Sequence, residues 1–282
     1  MPSTMLMSVI PAQVAGVPEI RVVSPRPRKE TLATAFFLGV REFYRIGGAQ
    51  AIAALAYGTR SIPRVDKIVG PGNLFVTAAK KLVAFDCSID FLAGPTEVVV
   101  VSHQGDPRYI AADLVAQAEH DPEALPIFIT TSKELAESVR AETRKAATGN
   151  KTAQAALASK GVILVATSRE QTMEFGNRIA PEHITVEQED VSAIVNAGSI
   201  FVGEYSPQAA GDYAVGPNHV LPTGAAARFR GGLSVMDFVK TISIQRLSRE
   251  GLEKIASTVV TLAQAEGLEA HANSIRGRCA RA

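Results

Sequence analysis

Apolar and polar positions alternate in blocks along the 282 residues. Short β-branched runs bounded by Gly, Pro, Asn or Asp predict strands at 21–24, 65–69, 97–102, 126–131, 161–167, 184–186 and 199–202. Stretches with helical spacing predict helices at 30–39, 50–57, 74–83, 107–119, 132–145 and 168–179. The run Val98-Val99-Val100-Val101 is the pattern of a strand buried on both faces. Pro107 suits the first turn of the helix that follows. This alternation predicts an α/β fold with parallel sheets, two of them, covered by helices.

The pattern changes after residue 203. Residues 204–232 are rich in Gly, Pro and Asn and show no period. A segment of that kind in a compact domain is functional or disordered. Helices at 252–265 and 270–278 follow without intervening strands, which predicts a helical C-terminal appendage. Composition adds exclusions. Lys plus Arg number 29 and Asp plus Glu 28, so there is no electrostatic footprint for nucleic acid or an anionic membrane. Aromatic residues make up 6% and Trp is absent, which argues against a base-stacking platform. Cys87 and Cys279 form no disulfide framework and fit a reducing compartment. The first 18 residues fail as a signal peptide, because no basic residue precedes the apolar stretch and Pro11 interrupts it. No run reaches the roughly 18 apolar residues that span a bilayer. A cytoplasmic protein without nucleic-acid or membrane partners is the expectation.

Five histidines occur, and four stand near acidic or amide side chains. Gln117 and His120 are three apart at the end of a predicted helix, so both can face one divalent ion. The plainer alternative is a histidine at a helix C-terminus, favoured by the dipole. Glu182 and His183 precede a strand and can supply a general base and a water activator. Successive strand residues point to opposite faces, which weakens a shared role unless the pair lies in a loop, and without further context a surface Glu beside a half-buried His is the favoured account. Asp212 and His219 lie seven apart in the irregular segment, where either a metal or acid/base site or simple turn chemistry accounts for them. Glu266 and His271 form a further acid–histidine pair on or before a helix. His103 stands alone. Together these supply Gln117, His120, Asp212 and His271 as metal-ligand candidates and leave Glu182, His183, His219 and Glu266 for chemistry. Spare acid/base capacity around a metal favours an enzyme over a structural zinc site, which would be cysteine-rich.

Gly70-Pro71-Gly72-Asn73 joins a predicted strand to a predicted helix. Glycines there admit a ligand close to the backbone, and a helix N-terminus favours phosphate. The third glycine of the dinucleotide fingerprint is missing, and Gly47-Gly48-Ala49-Gln50 lacks its spacing as well. A nucleotide site and a plain tight turn both remain open.

These motifs resemble those of the histidinol dehydrogenase family. The resemblance rests on GGAQAIAALAYGT from Gly47, VDKIVGPGN from Val65, IDFLAGPTE from Ile89 and DLVAQAEH from Asp113. It continues through APEH from Ala180, NHVLPT from Asn218 and EGLEAH from Glu266, over essentially the whole chain and in family order. It implies two Rossmann-like parallel-sheet domains, an NAD-binding one at 1–94 and a zinc-binding catalytic one at 95–233, with a helical dimerisation tail at 234–282. Relatives begin upstream of this Met1, so the second domain is expected to be incomplete. A chain of this extent is then expected to be less stable and less active than a longer version.

The resemblance also implies roles for individual positions. Gln117, His120, Asp212 and His271 match zinc ligands, and Glu182 and His183 match the acid/base pair. Thr96, His219 and Glu266 match substrate contacts, with Thr96 standing where many relatives have Ser; the zinc ligands and His183 also border the substrate. Gln50 and Asn73 match NAD contacts. The implied activity is a four-electron oxidation of L-histidinol to L-histidine through an aldehyde, with two NAD, in a homodimer whose tails complete each other's sites. The alternatives are a related zinc- and NAD-dependent alcohol dehydrogenase, such as a sulfopropanediol dehydrogenase, and an inactive shortened relative.

Overall fold

A computed structural model of the chain describes residues 1–280. It contains, in order, α1 (Pro2–Val14), β1 (Arg21–Val23), α2 (Lys29–Phe37), β2 (Glu42–Tyr44), α3 (Gly48–Tyr57), β3 (Lys67–Ile68), α4 (Leu74–Val83) and β4 (Ser88–Ile89). There follow β5 (Glu97–Val101), α5 (Pro107–Ala118), β6 (Leu125–Thr130), α6 (Lys133–Ala146), α7 (Lys151–Ser159), β7 (Val162–Val165), α8 (Arg169–Ile179), β8 (His183–Val186) and β9 (Ser199–Val202). The short α9 (Gln208–Gly211), α10 (Arg249–Ala265) and α11 (Glu269–Cys279) complete the chain. Two compact units result, Met1–Val239 and Lys240–Ala282. No helix among the described residues is long and apolar enough to cross a membrane.

Every strand pairing is parallel, as the strand–helix alternation predicts. The large sheet has the order β7-β6-β5-β8-β9. The chain winds outward from β5 in one direction, then returns to place β8 on its other side. One face of this sheet buries Val99, Val101, Ile127, Ile129, Ile184 and Val186 with Met173 of α8. The opposite face buries Val98, Val100 and Phe128 with Ile110 and Leu114 of α5 and Val139 of α6. Both faces are apolar, which is why the valine run of β5 shows no alternation. The earlier part of the chain forms two smaller sheets, β1 with β2 and β3 with β4. The larger sheet thus lies in the part of the chain where an incomplete domain is expected, and the first part divides its strands between two pairs.

Helix starts follow ordinary capping chemistry. Asn73, Asp106, Ser132, Asn150, Ser168 and Ser248 each accept a backbone N–H in the first turn with their side chains. Each such cap stabilises its helix by about 1 kcal/mol.

Helix α1 is not anticipated by the sequence, because Pro11 breaks the apolar stretch there. The helix nevertheless runs through it. Proline has no N–H to offer the carbonyl four residues earlier. That carbonyl, Met7 O, instead accepts the Asn218 side-chain amide at 2.6 Å. The irregular segment is thereby tied to α1 one residue before His219.

Candidate active site

Several of the residues singled out by sequence gather at the amino edge of the large sheet, around the starts of the adjacent strands β5 and β8. His183 is the first residue of β8 and Glu182 immediately precedes it, outside the strand. Both are buried. Thr96 immediately precedes β5. Its hydroxyl donates to Glu182 Oε2 and accepts from the Gln117 side-chain amide. Gln117 is buried in the last turn of α5. One chain of hydrogen bonds therefore runs Gln117, Thr96, Glu182.

Glu97 completes this edge, and nothing in the spacing of the histidines points to it. Its Oε2 accepts the Glu182 N–H at 3.2 Å, while Glu182 Oε2 accepts the Glu97 N–H, also at 3.2 Å. Glu97 Oε1 accepts the Gly224 N–H at 3.1 Å, which draws in the irregular segment. The one signal for Glu97 in the sequence is a carboxylate opening a strand that is otherwise wholly apolar.

Burial sets the electrostatics. Desolvation pushes the Glu182 carboxyl up to about 7, against the hydrogen bonds from Thr96 and the Glu97 N–H that favour its ionised form. Desolvation pushes His183 down to about 4, opposed chiefly by the Asp212 carboxylate. His120 and His219 also act on His183, in the lowering direction. Above pH 5 the His183 ring is therefore neutral and open as a proton acceptor. Its Nδ1 is buried without a hydrogen-bond partner, 3.7 Å from Glu182 Oε2.

The irregular segment closes over His183. The imidazole packs against Phe201 of β9 with ring centres 5.8 Å apart. A small recess beside it is lined by His183, Ser199, Gly211, Asn218 and His219. His219 Nδ1 bonds the Asp212 backbone carbonyl at 2.8 Å, which joins two candidates seven residues apart. Gly211, next to Asp212, lets α9 pack against Phe201, since a Cβ there would lie 2.6 Å from Phe201 Cζ. Helix α5 ends at Ala118, so Gln117 is helical and buried while His120 follows on an exposed turn. His120 therefore lies beyond the helix, and the two side chains do not share a helix face.

The remaining candidates lie elsewhere. Asn73 caps α4, its Oδ1 accepting the Val76 N–H at 3.1 Å. Gln50 lies in the first turn of α3 and is exposed. In the C-terminal unit, Glu266 ends α10 and His271 lies in the first turn of α11, both exposed. The Glu266-Gly267-Leu268 motif has a local reason. Gly267 takes φ +74°, its N–H bonds Gln264 O, and the Leu268 N–H bonds Ala263 O. This is a Schellman turn, which needs glycine at that position.

For a divalent metal, the set of an amide carbonyl, two imidazoles and a carboxylate offers the N and O donors that zinc takes. Gln117, His120 and Asp212 belong to the first unit and His271 to the second. Among the described residues no three His, Cys, Asp or Glu side chains converge closely enough to enclose an ion. The donor set fits zinc in kind.

Comparison with known proteins agrees over the whole chain. Residues 1–279 match the family model of histidinol dehydrogenase. Histidinol dehydrogenases of Methanosarcina mazei and Aquifex aeolicus are each 47% identical, the alignments covering 98% of this chain and 67% of theirs. That of Bacillus cereus is 49% identical with the same coverage. The crystal structure of histidinol dehydrogenase from Elizabethkingia anophelis superposes with a TM-score of 0.93 at 36% identity, over 98% of this chain and 67% of that one. The chain thus spans about two thirds of the length of these relatives.

Proposed function

Since the chain belongs to the histidinol dehydrogenase family, a family of NAD-dependent oxidoreductases, we propose that it oxidises L-histidinol to L-histidine through the aldehyde. The observation that carries the reading is the buried Glu182–His183 pair, linked through Thr96 to Gln117. Gln117, His120, Asp212 and His271 would hold zinc, with His271 supplied by a second copy of the chain in a homodimer. Bound zinc would orient the substrate, and NAD, held at Gln50 and Asn73, would accept hydride in each oxidation.

The protein's own groups then divide the proton chemistry. His183, neutral at working pH, takes the alcohol proton as hydride leaves. Glu182, with its carboxyl pushed to about 7, is poised to deprotonate the water that adds to the aldehyde. Thr96 holds the Glu182 carboxylate in place, and His219 and Glu266 bind the substrate. The burial of both acid/base groups excludes bulk water from the aldehyde stage. Two free cysteines fit a cytoplasmic site of action.

Incubation of the zinc-loaded protein with NAD and L-histidinol should yield two NADH per histidinol. Turnover of a sulfonated diol with none of histidinol would overturn the substrate and favour the related alcohol dehydrogenases.

A further inference from the structure

Two buried charges outside the acid/base pair meet at the carboxyl ends of β3 and β4. Lys80 of α4 and Asp90, which follows β4, form an ion pair with both side chains almost fully buried. Burying two charges is costly, and an apolar pair of similar volume is often as stable or more so. The pair therefore calls for a reason beyond stability. Asp90 Oδ1 also accepts the Phe91 N–H at 2.6 Å, and the pair's other hydrogen bonds converge on Gly70. Asp90 Oδ2 accepts the Gly70 N–H at 2.7 Å, and Lys80 Nζ donates to the Gly70 carbonyl at 3.0 Å. Gly70 has φ +110°, a conformation that residues with side chains avoid. The ion pair thus grips both polar groups of the residue that opens the turn leading to Asn73.

A third charge ties this grip to the candidate active site. Arg230, in the irregular segment that carries Asp212 and His219, donates to the Asp90 backbone carbonyl. It also bonds Asp237 at 2.9 Å and lies 4.7 Å from the centre of the Phe91 ring. Phe91 packs with Val220 and Leu233 of the same segment. Nearby, the Gly94 N–H bonds the Thr223 hydroxyl at 2.6 Å.

We propose that Lys80, Asp90 and Arg230 are positioning residues that fix the 70–73 turn in the conformation that receives the dinucleotide, in register with the segment carrying His219. This rests on the reading of Asn73 as an NAD contact. The test uses the full zinc-loaded chain and three variants: Lys80→Met with Asp90→Leu together, Arg230→Gln, and Arg230→Lys. NAD affinity is read by calorimetry, and KM for NAD, KM for histidinol, kcat and melting temperature are measured alongside. The double variant replaces the ion pair by apolar side chains of similar volume and releases Gly70. Its Kd and KM for NAD should rise roughly tenfold, while kcat at saturating NAD and the melting temperature stay near those of the parent. Arg230→Gln should show the same split to a smaller degree, and Arg230→Lys should recover part of it. Unchanged NAD affinity in a folded double variant overturns the proposal; if that variant does not fold, unchanged affinity in Arg230→Gln does so. A fall in kcat and both affinities together with the melting temperature marks a purely structural role and also overturns it. Failure of the parent itself to bind NAD overturns the reading of the turn, and the proposal with it.

Discussion

Single side chains at the sheet's amino edge do two tasks at once. Thr96 donates to Glu182 and accepts from Gln117, so its hydroxyl couples the acid/base pair to a metal-ligand candidate. Thr96→Val removes a charge-assisted hydrogen bond of about 1.5–3 kcal/mol. We expect kcat to fall by roughly tenfold or more. The loss of a bond that favours the ionised carboxylate should also move the acidic limb of the pH–rate profile upward, readable in a kcat titration. Gly211, at the end of α9, acts instead by having no side chain. Gly211→Ala sets a methyl against Phe201, which packs on His183. Overpacking of this sort costs about 1–3 kcal/mol, so both the melting temperature and the turnover rate should drop. A variant with unaltered kinetics would mean that α9 shifts freely and does not position Asp212.

At the scale of elements, α5 carries both core and chemistry. Ile110 and Leu114 enter the sheet core, Gln117 reaches the acid/base pair, and Asp113 lies partly buried between them. Desolvation pushes the Asp113 carboxyl up to about 6. An acid whose folded-state value is raised holds its proton better folded than unfolded. Its contribution to stability is present below about pH 4 and is lost as pH rises to about 6. Asp113→Asn should therefore raise the melting temperature above pH 6 and flatten the decline between pH 4 and 6, checked by thermal melts across that range. Most such elements were legible because cap, period and punctuation agree. Leu74–Val83 and Ser199–Val202 coincide with their predicted spans; most others differ by a residue or two at their ends, and α10 starts three residues earlier than predicted. The short strands β2 and β4 were not legible, since, unlike β1 and β3, neither lies in a β-branched run. Helix α1 was hidden by Pro11, whose cost is relieved by a side chain from a position more than two hundred residues away.

The whole molecule places its candidate chemistry at the amino edge of a parallel sheet, whereas ligands in open α/β sheets commonly sit at the carboxyl ends. A homodimer in which Glu266 and His271 act on the partner's site makes a clear prediction. His183→Gln and His271→Asn proteins, each inactive alone, should regain activity when unfolded together and refolded as a mixture. Random assortment into dimers leaves roughly a quarter of the sites intact. No recovery in a mixture shown to contain mixed dimers would place both residues in one chain's site. The amino-acid sequence by itself determined the class of fold, because apolar period and caps act locally, and it determined the kinds of donor available for chemistry. It also carried the family, through motifs spread over the chain. Only the tertiary structure decided that Glu182 and Glu97 face each other, that Thr96 bridges to Gln117, and that Lys80 and Asp90 close on Gly70. Those contacts depend on which strands lie side by side. The return of the chain from β7 to β8 sets that choice for Glu182 and Glu97, and the pairing of β3 with β4 sets it for Gly70 and Asp90; no local spacing records either.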